Sequence, residues 1–134
     1  MKDFDKWNEV KKDTEINTRK IGIKPREIFW AKLGENVGFE QNGKGENFAR
    51  PVIVVRKLTS ELFLGIPLTS TIKEGNYFHA FEYTNHSNGI VQNTALILQI
   101  KVFSIRRLMN KTGMVKEEDF EAIIEKSKGL FSPT

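Results

Sequence analysis

Cysteine is absent from the 134 residues, which excludes disulfides and thiolate metal sites and makes a cytoplasmic address the expectation. The two histidines, with no His-Glu-x-x-His pattern, supply no ligand set for zinc. No Gly-x-Ser-x-Gly elbow appears, so a serine hydrolase has no support. No apolar run approaches the roughly 20 residues of a membrane helix. The opening Met-Lys-Asp-Phe-Asp lacks the apolar stretch of a secretory leader. Repeats and low-complexity segments are missing too. So are acidic residues over one long stretch, with none after Glu82 until Glu117.

What fills that stretch is basic: Lys101, Arg106, Arg107, Lys111 and Lys116. The formal net charge is only +4, so the clustering says more than the total. A one-signed stretch suits a polyanion, because each Lys or Arg near a phosphate releases counterions. A row of solvated side chains on one side of a small domain is the plainer alternative. The chain length suits one domain, and 39% hydrophobic with 28% charged residues is a globular balance, not a disordered one.

Residues 1–25 read as an N-terminal extension, polar and mixed in charge. Phe4, Trp7 and Val10 fall three apart there, which permits a short helix. Residues 26–134 read as the domain. "EIFWAKL" (27–33), "PVIVV" (51–55), "LFLGIPLT" (62–69), "YFHAFEY" (77–83) and "TALILQI" (94–100) are rich in β-formers. "PVIVV" is apolar without alternation, which predicts burial on both faces. Gly75-Asn76 and Ser87-Asn88-Gly89 supply turn chemistry. Only the end turns helical: Phe120, Ile123, Ile124, Ser127 and Phe131 follow helical spacing. Glu117, Glu118 and Asp119 occupy the first turn, where acids favour the helix dipole. The expected fold is mainly β, a small antiparallel barrel-like sheet with a C-terminal helix lying across it.

The segment from Gly38 to Val55, "GFEQNGKGENFARPVIVV", comes close to a phosphate-cradling Gly-x-x-x-x-Gly-Lys-Ser/Thr loop. Yet Gly45 stands where a hydroxyl is needed to hold magnesium, and the loop enters a strand, not a helix. A nucleotide site of that type is rejected on context. What remains is a linker from Gly34 to Ala49, far longer than an ordinary hairpin loop of about 2–5 residues. It carries Glu40, Gln41, Lys44 and Glu46 and ends at Arg50-Pro51. Pro51 lacks an amide hydrogen and belongs at the first residue of a strand. Arg50 then sits at the lip, where a guanidinium grips phosphate through paired hydrogen bonds or simply pairs with Glu40 or Glu46. "PLTST" (67–71) brings three hydroxyls, those of Thr69, Ser70 and Thr71, to a strand end. His79, among aromatics, reads as a packed imidazole, and His86 as a turn residue.

In order along the chain, "REIFWAKLG", "GFEQ" leading to "RPVIVV", "IPLTS", "ALILQIK" with "RRL", and the helix after "TGMVKEEDF" resemble the PemK/MazF family of toxin endoribonucleases. The resemblance implies a homodimer that cleaves single-stranded RNA without a metal or cofactor and is blocked by a cognate antitoxin protein. It implies Arg50 and Thr69 as the catalytic pair, with Glu40, Gln41, Lys44, Ser70, Gln99 and Lys101 among the RNA contacts. Phe39 and Phe48 are either base-stacking residues or anchors of the loop. Leu98 stands where many relatives carry an acid, so that acid's role as a base is not carried over, and Glu40 is the candidate base instead. The implied chemistry is attack by the RNA 2′-hydroxyl, with Arg50 stabilising the phosphate and Thr69 fixing an oxygen. A non-catalytic relative, either a CcdB-like gyrase poison or an RNA-binding protein, is the alternative.

Overall fold

The computed structural model describes residues 22–33 and 49–133. The expected helix around Phe4, Trp7 and Val10 lies outside those residues. So does the 34–48 part of the linker, with Phe39, Glu40, Gln41, Lys44, Glu46 and Phe48.

Among the described residues, β-branched and aromatic segments form seven antiparallel strands: β1 (Glu27–Lys32), β2 (Ala49–Lys57), β3 (Leu62–Thr69), β4 (Phe78–Asn85), β5 (Gly89–Leu96), β6 (Lys101–Ser104) and β7 (Leu108–Met114). One helix follows among the described residues, α1 (Glu117–Lys128). The sheet runs β4-β5-β3-β2-β1-β7, and β6 pairs with the first half of β3. Its two outer strands meet: the His86 amide donates to the Thr112 carbonyl at 2.9 Å, and Asn85 Nδ2 donates to Thr112 Oγ1 at 2.6 Å. That closure makes the sheet barrel-like. It also demands Gly113, since a Cβ there would lie 2.5 Å from Tyr83 Cδ2 and 2.8 Å from the Thr84 carbonyl oxygen.

The curl leaves apolar residues on both faces. Ile28, Ile53, Ile66, Leu68, Phe81 and Ile97 pack inside with Val115 and Ile123, the latter brought by α1. Phe29, Val52, Val54, Phe63, Phe103 and Leu108 form a second cluster. β2 feeds both, Ile53 to one and its neighbours Val52 and Val54 to the other, as its unbroken apolar run predicts. Burying a side chain such as Ile123 is worth roughly 1.5–3 kcal/mol. The helix is further tied down by His79 Nε2 and Asp119 Oδ1 at 2.9 Å and by Lys126 Nζ donating to the Phe78 carbonyl at 2.7 Å. His79 also stacks on Phe81, the packed imidazole its surroundings suggest.

Four details differ from the sequence reading. "TALILQI" is not one strand: β5 ends at Leu96 and Ile97–Gln99 is a 3-10 turn. β3 changes partner at this point, from β5 at Leu68–Thr69 to β6 at Leu62–Gly65, so the chain must step across. β6 and β7 were not anticipated, because Lys101, Lys111, Asn110 and Gly113 break any apolar alternation. Phe131 falls in a 3-10 turn beyond α1 and is 78% exposed, so it is not part of the helix's buried stripe. Pro51 is the third residue of β2, not the first. Among the described residues, 49–51 are registered with β1 alone and the ladder to β3 starts at Val52, so the missing amide hydrogen falls on the edge of β2 that is not yet paired with β3.

Candidate active site

The end of β2 and the end of β3 converge. Val52 lies opposite Pro67, and extending that register by two residues sets Arg50 across from Thr69. The guanidinium reaches the same place, with Arg50 Nη1 donating to the Leu68 carbonyl at 3.0 Å. On the other side of β3, Thr69 lies opposite Thr94 of β5. Arg50 is therefore not at an exposed lip: it is 4% exposed, and Thr69 is 3% exposed. Burial lowers the Arg50 pKa from its ordinary value, because desolvation disfavours the charged form. Thr69 Oγ1 accepts the Thr71 amide at 3.3 Å, and Thr94 Oγ1 accepts the Lys73 amide at 3.2 Å. Two hydroxyls thus fix the backbone that leaves β3 and carries Ser70.

Beside Arg50 opens a cleft of about 410 Å³. Trp30, Pro51, Leu68 and Val91 supply apolar walls; Ser70, Tyr83, Asn85, Asn88, Gln92 and Asn93 supply polar ones. Tyr83 is buried, which raises its pKa, while hydrogen bonds with Asn85 and Thr112 act in the opposite direction. None of the cleft residues from β4 and β5 was singled out from sequence. Their one legible signal was the Asn/Gln-rich run Asn85–Asn93, which reads equally well as a turn.

Of the sequence-derived candidates, Arg50, Thr69 and Ser70 come together. Gln99 lies in the 3-10 turn, and Lys101 is opposite Gly65, which is four residues or about 13 Å of strand before Thr69. Neither of these two lines the cleft beside Arg50. Lys101 Nζ instead sits 5.2 Å over the Phe103 ring. Leu98 is exposed on the 3-10 turn. The basic stretch is less one-signed than it reads: Lys111 Nζ bonds Glu27 Oε2 at 2.8 Å, and Arg106 lies 3.6 Å from Glu61. Among the described residues no three His, Asp or Glu side chains are grouped to hold a metal ion, and no helix is long and apolar enough to cross a membrane.

Residues 24–130 match the model of the PemK-like, MazF-like toxins of type II toxin–antitoxin systems. The chain belongs to that family. Solved structures agree in fold. The Mycobacterium tuberculosis toxin MazF-mt6 superposes with a TM-score of 0.58 at 18% identity, covering 79% of this chain and 96% of that one. An endoribonuclease from a mycobacterial species, in complex with its cognate antitoxin, gives 0.62 at 14% identity over 84% and 99%. MazF of the MazE–MazF complex from Deinococcus radiodurans gives 0.59 at 15% over 86% and 100%. No curated protein is similar enough in sequence to match. The family's architecture accounts for the mainly β sheet and single C-terminal helix described above.

Proposed function

We propose that this toxin is an endoribonuclease that cuts single-stranded RNA in the cytoplasm, acts as a homodimer and is restrained by a cognate antitoxin. The observation that carries the reading is the buried Arg50 guanidinium, hydrogen-bonded to the end of β3 and lining a cleft. Structural neighbours described as endoribonucleases, one of them with its antitoxin, support the same assignment.

RNA carries its own nucleophile. The 2′-oxygen forms a bond to phosphorus while the bond from phosphorus to the 5′-oxygen breaks. A base takes the 2′ proton, and the departing 5′-oxygen receives one. The products are a 2′,3′-cyclic phosphate and a 5′-hydroxyl. Arg50 holds the phosphate and stabilises the charge that builds on it, and Thr69 steadies one of its oxygens. A buried cation and an entering anion favour one another, because the diester offsets the desolvation that lowers the Arg50 pKa. Arg50 itself serves as clamp, since a guanidinium stays protonated at neutral pH. Glu40, Gln41, Lys44, Ser70, Gln99 and Lys101 complete the proposed RNA surface, with Glu40 the proposed base.

Incubating the purified protein with mixed single-stranded RNA in EDTA and mapping the ends tests this. Defined cuts with cyclic phosphate ends are expected. Intact RNA retained on the protein would instead mark a binder, and intact unbound RNA would end the RNA reading.

A further inference from the structure

Two asparagines line the cleft from neighbouring strands, and they differ in one respect. Asn85 is fully engaged: Nδ2 donates to Thr112 Oγ1, and Oδ1 accepts the amides of Ser87 at 2.8 Å and Asn88 at 3.1 Å. Asn93, opposite Phe81 in the β4–β5 ladder, is only 7% exposed. Among the described residues its carboxamide has no hydrogen-bond partner. Its amide atoms open onto the cleft instead, where a ligand or water can pair with both the donor and the acceptor.

We propose that the cleft is a subsite for one unpaired nucleobase and that Asn93 reads its edge. A carboxamide offers a donor and an acceptor side by side, the complement of adjacent groups on a base. Trp30 supplies an aromatic wall of the kind on which splayed single-stranded bases stack. The cleft's volume is within the range of small-ligand sites. Arg50 lines the same cleft, so a base held by Asn93 brings its own backbone phosphate towards the guanidinium. Asn93 is then a specificity-determining residue. The inference deepens the ribonuclease reading and rests on RNA as the substrate.

The test compares wild type with Asn93→Leu and Asn93→Asp on a randomised single-stranded RNA, scoring the bases used at each position around the cut. Loss of a bidentate contact flattens preference at one position by roughly 5- to 100-fold, leaving preferences elsewhere in place. Unchanged preference at every position in both variants overturns the proposal. Asn93→Asp keeps the side chain's shape, which covers the case in which leucine disturbs the packing.

A second readout does not depend on cutting. In an amide NMR titration of the intact protein with each of the four ribonucleoside 5′-monophosphates, the Asn93 side-chain NH₂ shifts with one base and not with the others. Equal shifts with all four, or none, overturn base reading even if RNA is cut. A base-selective shift in a protein that cuts nothing upholds the subsite and sinks the nuclease reading instead.

Discussion

Phe63 and Thr69 lie near opposite ends of β3 in opposite kinds of surroundings. At the start of the strand Phe63 is fully buried and stacks on Phe103, with ring centroids 5.5 Å apart and Val52 and Val54 in the same cluster. At the finish, Thr69 is flanked by a buried arginine and a buried threonine, beside a cleft lined by an asparagine amide without a hydrogen-bond partner among the described residues. One end contributes stability by burying apolar surface. The other holds polar groups largely out of water, tied to the backbone by hydrogen bonds such as Arg50 to Leu68 and Thr71 to Thr69. Because one strand carries both, the polar end is held rigid by the packing of the apolar end.

Changes at the apolar end should cost stability and leave chemistry intact in whatever fraction stays folded. Phe63→Ala removes a fully buried ring, and denaturant unfolding should show a loss of about 3–5 kcal/mol. Gly65→Ala is the converse, an overpacking. Its new Cβ would lie 2.8 Å from Phe63 Cε2 and from Val52 Cγ1, and 2.9 Å from Phe103 Cδ2. A loss of about 1–3 kcal/mol is expected by the same measurement.

Changes at the polar end should do the reverse. Thr69→Val removes the hydroxyl that accepts the Thr71 amide, and RNA cleavage should slow about tenfold, the worth of one hydrogen bond. Thr69→Ser should recover most of that rate. An equal loss in both variants would assign Thr69 to packing. The smallest effect concerns Tyr83, whose pKa is raised by burial. Its contribution to stability is complete below the ordinary phenol range near 10, then falls as pH climbs through the raised folded value, because the unfolded phenol ionises first. Alkaline unfolding of wild type against Tyr83→Phe should show that slope disappearing in the variant.

The fold was legible where one physical pattern dominates. The unbroken run Val52–Val54, the turn residues Ser87–Gly89, and the Ile123 stripe behind acidic Glu117–Asp119 each answer to a single local rule. β6 and β7 were hidden because their pairing is decided by distant strands: Val102 is set by Leu64, and Gly113 by the approach of Tyr83. Arg50 and Thr69 were legible from their motifs, yet their burial was not, since a guanidinium before a proline reads as exposed. Asn93 carried only the ambiguous signal of the Asn/Gln-rich run it closes. Only the fold reveals that its amide faces a cleft while Asn85, in a similar sequence setting, is spent on a turn.

The claim on which the rest depends is that the Arg50 guanidinium grips the scissile phosphate. Single-turnover cleavage of a saturating RNA by Arg50→Ala, alongside its melting curve, measures this directly. A rate lowered roughly 100- to 1,000-fold is predicted, with a cooperative transition retained. A folded Arg50→Ala protein that cuts at the wild-type rate would contradict it.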